Sequence, residues 1–208
     1  MKSYSIIRTL QYGEISNINL EGTILDLGGN KKSGYQELIG GAHTFTTVNY
    51  GDLHPGADLF FNAEEKFLLE DKSFDNVLAM NFLEHIFNYH NVFAETSRVL
   101  KSGGLFVSNT PFMHHIHGSP DDYHRYTEST YRKLAEQYDF QVVTIKPLGD
   151  GLFSLFYQTV GGWLYFDILK FFTKWICINL DRLLQIIPQY RKLAKNIPLG
   201  YFVILKKK

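Results

Sequence analysis

Cysteine is nearly absent from this sequence. Cys177 is the only one among 208 residues, so no disulfide can form within the chain and nothing asks for an oxidising compartment. Net charge is missing as well: 21 Lys and Arg balance 21 Asp and Glu, no global field attracts a polyanion, and no nucleic-acid partner is expected. No charged-then-apolar export signal with a small-residue cleavage site opens the chain, so a cytoplasmic setting is expected. Long apolar runs are absent too. Asp167, Lys170, Lys174, Asp181 and Arg182 break the longest candidate before it reaches the roughly 18 to 20 residues of a spanning helix. There is no internal repeat and no low-complexity tract.

What remains is an ordinary globular composition, 45% hydrophobic, rich in Phe and Tyr, and long enough to bury one core without metals or disulfides. One domain, 1–208, is expected. The zero balance hides an asymmetry: from Gly161 onward nine Lys or Arg face only Asp167 and Asp181, a net of +7, which leaves −7 before it.

Short apolar runs alternate with helical stretches, the pattern of a mostly parallel sheet covered on both faces. Strands are expected at Thr23 to Leu27, Thr44 to Tyr50, Asp58 to Phe61, Asp75 to Met80, Leu105 to Ser108, Phe140 to Ile145 and Tyr201 to Leu205. Between the second and third lies the turn-like stretch Gly51 to Gly56. Val92, Phe93, Thr96, Val99 and Leu100 fall at helical spacing, and Lys101-Ser102-Gly103-Gly104 reads as the basic last turn and glycine stop of that helix. A second amphipathic helix is expected from Glu128 to Tyr138. The stretch from Gly151 to Pro198 is too long for a hairpin connection and should be a helical insertion before the last strand.

The first strand closes on Asp26-Leu27-Gly28-Gly29-Asn30, a turn that brings backbone amides close to a ligand at the carboxyl end of a sheet. A glycine pair alone is a weak signal, and the three-glycine fingerprint of NAD-type oxidoreductases is incomplete. Downstream come Asp71 to Val77, then Asn81-Phe82-Leu83-Glu84-His85-Ile86, then Glu95 to Gly104 with its Arg98-Val99-Leu100-Lys101-Ser102-Gly103-Gly104 ending. In this order the four motifs resemble class I S-adenosylmethionine-dependent methyltransferases, most of all the small-molecule group, over about residues 22–146 and the final strand.

The resemblance implies a Rossmann-like, doubly wound α/β fold with an antiparallel last strand. It divides the chain into an N-terminal helical or lid segment (1–21), a cofactor-binding core (22–146), the insertion (147–198) and a last strand with basic tail (199–208). It implies S-adenosylmethionine as cofactor, with Asp26, Gly28, Gly29 and Asn30 around the amino acid moiety. Asn49 stands at the ribose, Asn62 and Ala63 at the adenine, and Asn81 and Phe82 at the methionine part. Leu83-Glu84-His85 either packs and caps a helix or touches ligand. Three positions depart from the family pattern. Asn30 replaces a glycine, while Asn49 and Asn62 replace carboxylates, which loses charge-assisted bonds and suggests weaker cofactor affinity unless Asp52 or Asp58 reaches in.

After the fifth strand, Asn109 to Thr127 crowds histidines and aromatics into one loop. Its part His117-x-x-Pro120-x-Asp122-Tyr123-x-Arg125-Tyr126-Thr127 resembles a signature of methyltransferases encoded among surface-polysaccharide genes. Methyl transfer to a hydroxyl or amine releases a proton, so His117 or His124 is a candidate general base with Asp122 orienting it. Alternatively Asp122 pairs with Arg125 to fix the loop. His114 and His115 read as ordinary surface residues, and the spacing matches no metal-ligand pattern, so no metal is assigned.

On a helix from Trp163 to Ile187, Asp167, Lys170, Lys174, Asp181 and Gln185 fall along one narrow side. The apolar remainder includes Leu164, Phe166, Ile168, Leu169, Phe172, Trp175, Ile176, Leu180, Leu183 and Leu184. With Arg191, Lys192, Lys195 and Lys206-Lys207-Lys208 it suits peripheral contact with the inner face of a membrane, a homodimer through residues 151–190, a lid over an apolar substrate, or intramolecular core. The leading expectation is methyl transfer to an oxygen or nitrogen of a small molecule such as a sugar or lipid-linked glycan precursor. The alternative is a catalytically weak, methyltransferase-like binding or scaffold subunit at a membrane surface.

Overall fold

A computed structural model describes residues 5–51 and 56–208. Seven strands, β1 (Gly22–Leu27), β2 (His43–Asn49), β3 (Leu59–Phe60), β4 (Phe74–Met80), β5 (Leu100–Pro111), β6 (Phe140–Leu148) and β7 (Gly200–Lys207), form one sheet in the order β3-β2-β1-β4-β5-β7-β6. β1 to β5 pair in parallel and β7 runs antiparallel between β5 and β6, as expected. Strand order reverses between β1 and β4, which opens a crevice at the carboxyl edge.

Both faces are covered, and alternation along each strand explains how. Leu25, Leu27, Val77 and Ala79 point to one face, under α2 (Tyr89–Val99) and α3 (Glu128–Gln137). Ile24, Leu78 and Met80 point to the other, where Ile15 of α1 (Ile6–Ile15) packs. Burial on both sides is why these strands read as continuous apolar runs.

One expected helix end is corrected. Lys101 to Gly104 do not close α2; the backbone is already extended at Leu100, and these residues belong to β5. A side chain at Gly104 would put its Cβ 2.5 Å from the Asp75 carbonyl oxygen, so only glycine lets β5 close on β4 where the register shifts. Lys101 then reaches across to the Asp75 carboxylate at 2.7 Å. Of the expected Gly51 to Gly56 turn, residues 52–55 lie outside the described residues, and Asp52 with them.

The insertion forms α4 (Leu152–Val160), α5 (Asp167–Leu184) and α6 (Pro188–Lys195). α5 has its polar side inward. Asp181 is fully buried, and its carboxylate accepts the Phe153 and Ser154 amides at 3.0 and 2.6 Å, capping α4 from outside that helix. Lys174 is buried as well and donates to Thr9 Oγ1 on α1 at 3.1 Å. The apolar arc is left outside: Ile168, Phe172, Trp175 and Leu183 are each more than half exposed. The intramolecular-core reading fails for these exposed members of the arc, because α5 meets the body through Asp181, Lys174 and the small apolar cluster around Cys177, with Leu164 alone of the arc packed against that cluster.

The basic tail is also displaced from its expected place. Gly200 lies opposite Pro111 at the carboxyl edge, whereas Lys206 lies opposite Leu105 at the other edge, so Lys206 to Lys208 are a sheet height away from the insertion. Among the described residues no helix is long and apolar enough to cross a membrane.

Replacing Asp181 by Ala leaves two buried amides without their acceptor. A loss of about 1–3 kcal/mol is expected in urea unfolding, with faster hydrogen exchange in the first turn of α4.

Candidate active site

The turn after β1 leaves no space for side chains. Gly28 has φ +77°, and a Cβ on it would lie 2.6 Å from the Phe82 ring. A Cβ on Gly29 would lie 2.1 Å from an Asp26 carboxylate oxygen. Asp26 itself is buried beneath the turn, accepting from Tyr35 Oη at 2.9 Å and Gln36 Nε2 at 2.7 Å. Burial raises its pKa to about 7 against the lowering effect of those two donors.

Above the turn is a cavity of about 330 Å³. Of the residues expected at a cofactor, Gly28, Asn49, Asn62, Ala63, Asn81 and Phe82 line it; Asp26, Gly29 and Asn30 do not. Asn30 spends its side chain locally, its Oδ1 accepting the Lys32 amide at 2.8 Å in a turn. Asn49 donates long bonds to the Gly28 and Gly29 carbonyls, 3.3 and 3.4 Å, and so fastens the glycine turn to β2. Asn62 Oδ1 accepts the Glu64 amide at 3.0 Å, which presents Glu64 at the cavity wall. Asn81 adopts φ +49°, and its amide pairs with Gln11 of α1 in both directions, at 2.7 and 3.2 Å. The N-terminal helix thereby reaches the floor of the crevice.

Asp58 does not fill the place of the missing carboxylates. It is held by the Thr47 amide and hydroxyl at 3.0 and 2.8 Å and by Lys31 at 2.9 Å, away from the cavity lining. These partners lower its pKa to about 2, the Thr47 amide contributing most. The carboxylates at the wall are Asp121 of the histidine loop and Glu64, the latter marked by nothing in the sequence.

The short helical turn after β4, Leu83–His85, carries the second half of the site. The histidine loop docks on it: the Tyr123 and His124 amides donate to the Glu84 carbonyl at 2.8 and 3.3 Å, and buried Tyr126 donates to the Leu83 carbonyl at 3.0 Å. Arg125 grips both oxygens of Asp122 and holds that carboxyl far below its usual range. Asp122 in turn accepts the His117 amide at 2.9 Å and faces His117 Nδ1 at 3.4 Å. Both readings of Asp122 thus describe one arrangement. His124 is different, because its Nε2 is committed to the Phe87 carbonyl at 3.2 Å, with its ring near Phe87 and Tyr89.

His117 Nε2 is aimed at Glu84, whose carboxyl is fully buried with neither oxygen hydrogen-bonded. Burial raises the Glu84 pKa to about 8. His85 lines the cavity beside them, its ring 5.1 Å from that of His117. On its other side His117 meets His114 at 4.8 Å. His114 and His115, expected at the surface, are half-buried and exposed respectively, and they also line a second cavity of about 570 Å³ with Tyr157, Gly161, Gly162 and Trp163 of the insertion. One histidine ring thus connects the walls of two cavities. The first opens on the glycine turn and the second on the insertion.

Comparison with known proteins bears on this geometry. Residues 56–108 match the family model described as "Methyltransferase domain", a stretch running from before β3 into β5. No curated protein matches the sequence. A methyltransferase dependent on S-adenosylmethionine from Methanosarcina mazei has 15% identity and TM-score 0.55, over 100% of this chain and 99% of its own. Geranyl diphosphate methyltransferase, solved with S-adenosylmethionine, has 14% identity and TM-score 0.58, over 97% and 84%. The 4+2 cyclase SpnF has 14% identity and TM-score 0.59, over 95% and 80%. The fold is shared with these methyltransferases, and residues 56–108 are similar to a methyltransferase domain.

Asp26 makes a pH test possible. Its folded pKa of about 7 exceeds the unfolded value, so the stability it contributes is complete below about pH 4 and is lost as pH rises through 7. Urea midpoints of the ligand-free protein should fall across that interval, and Asp26→Asn should remove this part of the slope. An unchanged slope in the variant would show that Asp26 ionises normally.

Proposed function

We propose that the chain is an S-adenosylmethionine-dependent methyltransferase acting on an oxygen or nitrogen of a small molecule, with a sugar or lipid-linked glycan precursor as the acceptor class. The observation that carries this reading is a coincidence of two kinds of evidence. The segment matching a methyltransferase domain contains Asn62, Ala63, Glu64, Asn81, Phe82 and His85, and these residues wall the cavity above the glycine turn.

In this reading the Gly28 backbone approaches the cofactor's amino acid moiety. Asn49 exchanges its long bonds to the turn for ribose hydroxyls, and Glu64 supplies the charge that Asn49 and Asn62 lack. When bound, S-adenosylmethionine would supply an electrophilic methyl group and keep the C–S electron pair, and the Glu84–His85–His117 cluster would take the acceptor's proton. Most of the rate comes from holding donor and acceptor in line. His117, oriented by Asp122, keeps its expected place in the chemistry, whereas His124, tied to Phe87, positions the loop. The acceptor enters through the second cavity, between the histidine loop and the insertion.

The insertion supports peripheral contact with an anionic bilayer. Trp163, Tyr165 and Phe166 stand 90%, 87% and 63% exposed beside the outward arc of α5, with exposed Arg182, Lys192 and Lys195 on the same insertion. Trp163 belongs also to the second cavity, so the surface that meets lipid adjoins the acceptor's entrance.

Two measurements test this. Isothermal titration should show S-adenosylmethionine binding, and Gly28→Ala, whose Cβ would force the Phe82 ring to shift within the cavity lining, should weaken it about tenfold or more. Absence of heat for the parent protein at millimolar ligand sinks the reading, while transfer of labelled methyl to a glycan or lipid extract excludes a mere scaffold. In flotation, the chain should rise with phosphatidylglycerol vesicles, and Trp163→Ser with Trp175→Ser should abolish this. A stable dimer that ignores vesicles would instead assign the arc to a second copy.

A further inference from the structure

We infer that Glu84, His85 and His117 form a binding site for a divalent first-row transition metal ion, of which Zn²⁺ is the working example. The inference stands on side-chain geometry and does not require methyl transfer. Among the described residues these three are the one group of His, Cys and carboxylate side chains at metal-ligand spacing, with ligand atoms all within 4.8 Å of one another. Glu84 Oε1 lies 3.8 Å from His85 Nε2 and 3.9 Å from His117 Nε2. Two ligand atoms each about 2.1 Å from a tetrahedral ion stand about 3.4 Å apart. Both pairs lie within roughly half an ångström of that spacing, and binding would draw the part-exposed His117 ring inward.

Three further features point to an ion. First, a buried carboxyl with neither oxygen hydrogen-bonded is rare and needs a partner that the protein's own donors do not provide. Second, both imidazoles are prepared as ligands. His85 Nδ1 lies 2.6 Å from the Asp121 carbonyl, and His117 Nδ1 faces Asp122 and the His115 carbonyl at 3.4 Å. Acceptors on Nδ1 keep the proton there and leave Nε2 bare toward Glu84, the outer-shell arrangement that orients metal-bound histidines. Third, the Arg125 clamp on Asp122 and the bonds from the loop to the Glu84 carbonyl hold two distant segments together at this point. Two imidazoles and one carboxylate suit Zn²⁺, Fe²⁺ or Mn²⁺ and not Mg²⁺ or Ca²⁺, which prefer oxygen. An ion here would occupy the groups that otherwise take the acceptor's proton; it would bind an acceptor hydroxyl and lower its pKa, and the proton would pass to solvent instead.

The test uses the full chain, stripped with a chelator and titrated with Zn²⁺ and with Co²⁺ as a visible probe. One equivalent should bind, with Co²⁺ showing the bands of nitrogen and oxygen ligation. His117→Ala, His85→Ala and Glu84→Gln should each weaken binding about tenfold or more, and Asp122→Asn, acting through His117, by about 10 to 100-fold. His114→Ala should leave it unchanged. Since Glu84→Gln alters a buried site, His117→Ala on the part-exposed loop is the decisive variant. No uptake at micromolar Zn²⁺, or uptake indifferent to His117→Ala and His85→Ala, overturns the inference. Zn²⁺ uptake without any S-adenosylmethionine binding upholds the ion site and removes the methyl-transfer reading instead.

Discussion

Because β1 and β4 are neighbours while the chain departs from them toward opposite sides, their carboxyl ends cannot be bridged by a direct connection, and a crevice stays open there. Every functional candidate depends on this constraint. The glycine turn follows β1, the Leu83–His85 turn follows β4, and the histidine loop follows β5, so three segments far apart in sequence emerge at one edge. α1 is drawn to the same place by the paired amides of Gln11 and Asn81. The crowding at Gly28 and Gly29, where Phe82 and Asp26 occupy the space of a side chain, is the local cost of turning the backbone so sharply at the edge of the crevice.

Much of the architecture was legible in the sequence. Strands buried on both faces announce themselves as apolar runs, and the motifs at Gly28 and Asn81 mark where the crevice opens. What could not be read there is convergence. Glu84 was ambiguous between packing and ligand contact because its meaning comes from His117, which reaches it only when the loop folds back. Asn30 and Asp26 sit in the right motif yet face away from the cavity, since motif membership fixes the backbone path and not the direction of each side chain. Periodicity located the polar stripe of α5 but not which side the body would take. That was decided by the buried amides of α4, which demand a carboxylate. Glycines 103 and 104 looked like a helix stop because the same residues that end helices also permit a strand to bulge.

Two of the buried carboxyls, Asp26 and Glu84, show how location divides roles between chemically similar groups. Asp26 is satisfied by Tyr35 and Gln36 and serves to stiffen the turn. Glu84 has no such donors and lies beside two imidazoles whose Nε2 atoms face it. One is part of the frame and the other is available for chemistry.

Leu148 and Gly200 are register partners on adjacent antiparallel strands, and the Leu199 amide closes on the Leu148 carbonyl at 2.7 Å. The three helices between them therefore leave and re-enter the sheet at one point, like a module plugged into a socket. Any segment whose ends meet there could take their place without disturbing a ladder, provided it also covers Ile6, Ile7 and Leu199 as Tyr157 and Cys177 do. The plug and the wall of the second cavity are one piece, so exchanging it would change at once what the protein touches outside and what that cavity admits.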